Sequence, residues 1–345
     1  MGRIRLIQET CRSISDKVYY FLWDALPEIQ RLDDKEPSMC GSSDHGHGHH
    51  CGHGHEHSHS HHHAPGSEDR FRAVVTGKGG VGKTTITALL ARRMARDGFK
   101  VLALDADPQM NLPYALGLPH AEARSLVPIS QNTQYVAEKT GADPGSGFGL
   151  FFRLNPEVDD VVERFGAVGP DGVRVLVMGS VVQPAAGCLC PENALLAAVA
   201  GSVSLRENEA ILMDTQAGVE HFGRALAQGF RHAAVVTDTT FNGVQVALHG
   251  ARLASALGIP AIHLVVNRVG SPEEYERTLA SIDEAGGFPF TSRHALAFDD
   301  TLRECDPAVG PMLARPSSRF MQGLMELQSR LIESREEPPQ NNGVC

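Results

Sequence analysis

The sequence predicts a doubly wound α/β fold, a mostly parallel sheet of about seven strands with helices on both faces. Three observations predict it. The apolar residues recur as continuous blocks rather than alternating ones, as strands covered on both faces require. Helical stretches separate successive blocks at the spacing of strand–helix–strand units. A glycine-rich turn follows the first block and opens a helix, the usual place for a ligand site in such sheets.

The strands are expected at 71–76, 100–105, 173–178, 209–214, 233–238 and 261–266, with a short one near Phe288. Helices are expected at about 84–97, 130–139, 157–164, 191–203, 219–230, 241–256, 271–285 and 315–333. In the last of these, Phe320, Leu324, Leu327 and Leu331 share one face with little basic charge, which favours core packing over a membrane surface.

The domain so built spans 69–335, and 336–345 reads as a disordered tail. Residues 1–37 form an N-terminal segment with helical periodicity at Val18, Phe21, Leu22 and Leu26, read as a docking or capping helix. Residues 38–68 are Gly, Ser and His with almost nothing to bury, so this arm is expected to be disordered without a ligand.

Composition narrows the function. The chain has 345 residues, 42% of them hydrophobic, enough for one large core. It carries 41 acidic against 31 basic residues, a net charge of −10, which argues against nucleic acid as a partner. No run of 18 uncharged apolar residues exists, and the first 30 residues lack the pattern of an export signal. The expected location is cytoplasmic, without stable membrane association. In that reducing compartment, seven cysteines read as metal or redox groups rather than as a disulfide framework.

The loop Gly77-Lys78-Gly79-Gly80-Val81-Gly82-Lys83-Thr84-Thr85 matches G-x-x-x-x-G-K-[ST] between a strand and a helix, the context that gives the motif its meaning. Its backbone amides at Gly79, Gly80, Val81, Gly82 and Thr85 wrap phosphates, and the helix start adds partial positive charge. Lys83 reaches the outer phosphates and Thr84 offers a hydroxyl to Mg²⁺. The fold is therefore expected to be a P-loop NTPase that binds a nucleoside triphosphate.

The second lysine of the loop, Lys78, carries a resemblance. GKGGVGKTT is similar to the deviant Walker A loop of the family of septum-positioning, plasmid-partition and arsenite-pump ATPases. That resemblance implies a nucleotide-sandwich homodimer in which Lys78 reaches the partner's nucleotide, a cation delivered where transition-state charge develops. It also implies that Asp107, in Leu104-Asp105-Ala106-Asp107-Pro108, positions the attacking water, with Asp105 near the magnesium shell. Asp214 ends a further apolar strand and is the Walker B type of Mg²⁺ carboxylate. Gly218 lets its loop move. Asn267 resembles the adenine-reading asparagine of the family, so the nucleotide that the resemblance implies is ATP or ADP.

Two features concern other metals. Cys188 and Cys190 form C-x-C, whose thiols share a side if the segment is extended. A two-fold dimer doubles the pair into four soft ligands, which suit Ni²⁺ or Zn²⁺. Eleven of the 17 histidines are His45, His47, His49, His50, His53, His55, His57, His59, His61, His62 and His63, a concentration of imidazole that suits Zn²⁺, Ni²⁺ or Cu²⁺, with Cys51 beside it; its resemblance to the storage tails of other nickel chaperones implies Ni²⁺ storage.

Together GKGGVGKTT, LDADPQMNLPYALGL, LNPEVDDVVERFG, VMGSVVQPAAGCLCPENALLAAV, MDTQAGVEHFGRA and VVNRV resemble the CooC family, the nickel-insertion ATPases of carbon monoxide dehydrogenase maturation, over about 71–335. The resemblance implies an ATP-dependent nickel metallochaperone whose client is that nickel enzyme. Residues 1–68 lie outside it, and Gln216 departs from the family's usual Gly or acid. The rival readings are an iron–sulfur carrier, which typically presents C-x-x-C, a partition or positioning ATPase, and a non-enzymatic nickel store.

Overall fold

The computed structural model describes residues 71–141, 156–179, 190–202, 208–218 and 226–333. The expected N-terminal helix, the His arm with Cys51, Cys188, the stretch 219–225 and the C-terminal tail lie outside the described residues.

In chain order the elements are β1 (Phe71–Gly77), α1 (Lys83–Arg96), β2 (Lys100–Ala106), α2 (Leu112–Leu116), α3 (His120–Ser125), α4 (Thr133–Thr140) and α5 (Val161–Phe165). They continue with β3 (Ala167–Val168), β4 (Arg174–Val177), α6 (Cys190–Ser202), β5 (Glu209–Thr215), β6 (His232–Thr237) and α7 (Phe241–Ala256). The chain then forms β7 (Ala261–Val269), α8 (Pro272–Glu284), β8 (Ser292–Ala297), α9 (Thr301–Glu304) and α10 (Arg319–Glu333).

One eight-stranded sheet results, in the order β3-β4-β2-β5-β1-β6-β7-β8. Only the β3–β4 pair is antiparallel. The two faces follow from residue alternation along each strand. Phe71, Ala73 and Val75 of β1 join α1 and α10 in one core, through Ile86, Leu89, Leu324 and Leu327. Val74 turns to the other core, with Leu195 and Val199 of α6 and Ala247 and Ala251 of α7. A third cluster packs α7 on β7 and α8 through Val244, Leu248, Leu264 and Ile282. Helices cover both faces, as the continuous apolar strands require.

Three expectations need correction. The last strand is not near Phe288 but at Ser292–Ala297, and Phe288 and Phe290 instead pack as loop residues under the sheet. The helix expected over 219–230 does not include its last residues, because Leu226–Gly229 form turns. The helices expected at 130–139, 157–164 and 315–333 begin later, at Thr133, Val161 and Arg319. Tight three-residue turns occupy Ile129–Gln131 and similar geometry runs through Gly310–Ala314.

Helix starts are set locally. Thr240 Oγ1 accepts the Gly243 amide at the start of α7, and Ser271 Oγ accepts the Glu274 amide at α8, where Pro272 and two glutamates follow. α1 starts differently. Its cap is Gly82 with φ +98°, so its first amides are left to a ligand rather than to a side chain.

Candidate functional site

The carboxyl ends of β1, β2 and β5 lie side by side and bring together residues 130 positions apart. Gly77 leaves β1 with φ +145°, and a Cβ there would collide with the Val236 carbonyl of β6. Only glycine fits, so the loop turns sharply over the sheet edge. Gly82 is constrained twice, by its φ and by the Asn267 side-chain amide that a Cβ would strike.

Lys83 is buried, and its Nζ donates to the Lys78 carbonyl at 3.2 Å. Burial lowers its pKa, and the nearby Asp214 and Asp107 carboxylates pull it back up. Thr84 Oγ1 donates to Asp214 Oδ2 at 2.6 Å. Asp214 Oδ1 is buried with no hydrogen-bond partner. Burial pushes the Asp214 carboxyl up to about 7, against the opposing pull of the Thr84 hydroxyl and Lys83. An orphaned carboxylate oxygen beside a threonine hydroxyl at the mouth of a phosphate loop fits a hydrated divalent cation, which would satisfy that oxygen.

Asp105 stands opposite Asp214 in the β2–β5 register. Its two oxygens accept the amides of Asp107 and Leu112, each at 3.0 Å. Both are committed to backbone, so Asp105 shapes the loop after β2 rather than standing in the magnesium shell. Its carboxyl is raised well above the usual range by burial and then by Asp214. Asp107 lines the cleft, with Oδ1 accepting the Gln109 amide at 2.9 Å.

Asn267 is buried at the end of β7. Its Nδ2 donates to the Val81 carbonyl at 2.7 Å and its Oδ1 accepts the Arg268 amide at 2.8 Å. In this arrangement it buttresses the phosphate loop. Gly218 has φ +96°, and its amide donates to the Gly77 carbonyl at 3.2 Å, which ties the β5 loop to the phosphate loop.

Lys78 points away from the phosphates of its own loop. Its Nζ lies 3.9 Å from Asp238 Oδ2 and 3.5 Å from Thr240 Oγ1, on the turn between β6 and α7. Cys190 is the first residue of α6, so the C-x-C pair ends on a helix start rather than lying wholly in extended chain. Among the described residues no group of three or more His, Cys, Asp or Glu is placed to hold a metal ion. Nor, among them, is any helix long and apolar enough to cross a membrane.

The cleft over the loop holds about 1100 Å³. Its further walls are Tyr114, His120, Arg124, Arg268, Asp306 and Pro307. Sequence reasoning missed these and the Asp238–Thr240 tether. Arg268 was signalled only by its place beside Asn267 and Tyr114 only by its place in LDADPQMNLPYALGL, and the others come from segments with no motif.

A strand, a glycine loop, a buried lysine and paired acidic strand ends define a nucleotide-binding P-loop protein. Residues 72–306 match the model of the CobQ/CobB/MinD/ParA nucleotide binding domain, and the chain belongs to that family. Within it the chain is a CooC-type deviant Walker A ATPase. It is 37% identical over 237 residues to the carbon monoxide dehydrogenase accessory protein CooC of Rhodospirillum rubrum, spanning 69% of this chain and 87% of that one. It is 35% identical to an uncharacterised ATP-binding protein of Methanocaldococcus jannaschii, over 59% of this chain and 77% of that protein. The septum site-determining protein MinD of Pyrococcus horikoshii, solved with Mg-ADP, shares the fold with a TM-score of 0.51 at 20% identity, covering 78% of this chain and 96% of its own.

The tether suggests a test. The neutral amide in Asp238→Asn keeps an acceptor for Thr240 but removes the charge that holds Lys78. If Lys78 must leave this contact to act on a partner, turnover at low protein concentration should rise about two- to fivefold, the worth of an exposed ion pair. ATP affinity should not change. Steady-state rates at several protein concentrations check this, and an unchanged rate removes Asp238 from the control of Lys78.

Proposed function

We propose that this chain is an ATP-dependent nickel metallochaperone that delivers Ni²⁺ to the active-site cluster of carbon monoxide dehydrogenase during maturation. The observation that carries the reading is the 37% identity to a carbon monoxide dehydrogenase accessory protein along 87% of that protein's length. The C-x-C pair and the His-rich arm support it, since both offer ligands that suit nickel.

In this reading the amides of Gly79, Gly80, Val81, Gly82 and Thr85, with Lys83, hold the ATP phosphates. Asn267 contacts adenine after giving up its present bond to Val81. Thr84 and Asp214 would hold Mg²⁺, whose charge offsets that of the triphosphate. Asp107 orients the attacking water. Lys78 acts on the nucleotide of a second copy, so the active form is a homodimer. The same contact unites two Cys188/Cys190 pairs around one shared ion, Ni²⁺ or, in its absence, Zn²⁺. Residues 38–68 collect Ni²⁺ ahead of the ATPase domain over 69–335. ATP and nickel both favour the closed dimer, so each tightens the binding of the other.

Turnover of the full chain with and without Ni²⁺, read beside activation of nickel-free carbon monoxide dehydrogenase, tests the reading. Turnover with no activation would favour a partition or iron–sulfur ATPase, and no turnover a storage protein. The cysteine site is tested separately. Nickel bound by thiolates shows sulfur-to-metal charge-transfer absorption, which imidazole ligands of the His arm do not give. In a Cys51→Ala background, where the arm has no thiolate, Cys188→Ala combined with Cys190→Ala should abolish that absorption while the arm still binds nickel, and a persisting band would reject the shared thiolate site.

A further inference from the structure

On the β8 side of the sheet, three adjacent strands carry buried histidines, in a line that starts at the amino end of β6 and reaches the level of Gly77 at β8. His232 opens β6, His263 is the third residue of β7, and His294 is the third of β8. Each is at most 3% exposed. His232 Nδ1 lies 3.4 Å from His263 Nε2, His263 Nδ1 lies 2.7 Å from Ser292 Oγ, and Ser292 Oγ lies 2.7 Å from His294 Nε2. The chain is continuous across three strands. Its inner end stacks on Phe71, with ring centres 5.3 Å apart. Its outer end, His294 Nδ1, has no hydrogen-bond partner and faces Glu326 Oε1 of α10 at 4.0 Å.

Neutral rings satisfy this arrangement. The Ser292 hydroxyl donates to one ring and accepts from the other, and each of the three contacts in the chain then has one proton to share. An extra proton on His232 or His263 would put two donors face to face or a charge beside buried neighbours, and His294 alone has a carboxylate nearby. The charged groups that face the chain are Arg231 before β6, and Glu326 and Arg330 on α10. Two of the three repel a cation. On α1, Arg93 and Asp97 meet Gln328 of α10 instead. Burial, then neighbouring positive charge, depresses His232 to about 4 and His263 to about 3, and burial lowers His294 as well.

The chain also sits where release is easiest. β8 is an edge strand, paired among the described strands with β7 alone. α10 covers it so closely that a Cβ at Gly323 would collide with the Ala295 carbonyl. Opening this edge breaks one ladder and lifts α10 off the core it shares with β1 and α1, while the β2–β5–β1–β6 ladders and the hydrogen bonds within α1 remain.

We propose that His232, His263, Ser292 and His294 form an acid-sensitive latch that fastens the β8–α10 edge to β6 and β7, and that mild acid opens this edge while the nucleotide-binding half stays folded. The sign follows from proton linkage. A histidine depressed in the closed form and returned to its ordinary value of 6.5 on exposure binds a proton more tightly in the open form. Opening is therefore favoured as pH falls below 6.5, by roughly 20-fold per exposed ring between pH 7 and pH 5. The latch is independent of the proposed metal chemistry.

Hydrogen–deuterium exchange of the full chain, read by mass spectrometry at pH 7 and pH 5 and corrected for intrinsic rates, tests it. Segments 292–297 and 319–333 should exchange at least about 20-fold more readily at pH 5, and 71–77 and 83–96 should not. His263→Asn should reduce the rise by about the same factor. Glu326 favours the charged His294 ring inside the fold, so Glu326→Gln should shift opening to higher pH. This variant is on the surface and keeps the test alive if His263→Asn fails to fold. Full protection of 292–297 and 319–333 at pH 5, loss of protection in all four segments together, or an unmoved or lowered opening pH in Glu326→Gln would each overturn the latch.

Discussion

Lys78→Ala is expected to lower ATP turnover by about 10³-fold or more while leaving ATP affinity within about twofold. The two lysines of the loop occupy different surroundings. Lys83 is buried in the site, and its ammonium reaches the Lys78 carbonyl, a backbone group that alanine retains. Lys78 turns outward to Asp238 and Thr240, with its side chain 36% exposed. Removing it therefore leaves the phosphate cradle intact. What disappears is a cation available to a second nucleotide, and cations supplied in this way to transferring phosphoryl groups are worth 10³ or more in rate. Titration calorimetry with ATP, beside single-turnover hydrolysis, separates the two effects. Undiminished single turnover would mean that Lys78 acts on no nucleotide. Loss of affinity equal to the loss of rate would place it in the ground-state cradle instead.

The phosphate loop was legible because its chemistry is local. Nine consecutive residues specify the turn, the amides and the lysine, and flanking apolar blocks specify the strand and helix. Asp214 was conspicuous for a related reason, since it lies at the end of a buried strand, and Asp107 follows directly on the end of another. Their different tasks were not. Asp105 and Asp107 look alike in sequence, and only the fold shows that Asp105 spends both oxygens on backbone amides. The eighth strand was misplaced by the same logic that found the others. Ser292–Ala297 reads SRHALA, too polar for a buried run, because His294 occupies a core position by bonding to Ser292. Phe288 and Phe290 drew the strand towards them, although they fill the space beneath α8. β3 is two residues long and leaves no periodic signal. The Lys78–Asp238 contact spans 160 residues and depends on β6 lying next to β1, which local pattern does not specify.

Asp214→Asn is the second large effect, and its sign runs against the usual behaviour of a carboxylate. Most native carboxylates are more acidic in the fold than in the unfolded chain, and they favour the fold as pH rises. Asp214 is raised to about 7 from an ordinary value of 3.8 by burial, with one oxygen bonded to Thr84 and the other without a hydrogen-bond partner. The fold thus holds a proton that the unfolded chain has lost. Between 3.8 and about 7 this residue costs stability as pH rises, in total on the order of a few kcal/mol. A cation with bound nucleotide reverses the balance, because it favours the ionised form. The neutral asparagine keeps the shape without the charge. At pH 8 the variant without nucleotide should therefore be more stable than the parent by about 2 kcal/mol or more, while turnover falls at least about 10²-fold. Mg-ATP should stabilise the parent strongly and the variant little. The buried histidines supply the opposite slope, since they favour the fold as pH rises towards 6.5. In the parent the two slopes oppose each other. In Asp214→Asn the histidine slope is opposed by the raised Asp105 carboxyl but no longer by Asp214, so its urea midpoint should climb more between pH 5 and pH 7 than the parent's. A midpoint profile that keeps the parent's shape would show that Asp214 is already ionised in the nucleotide-free fold.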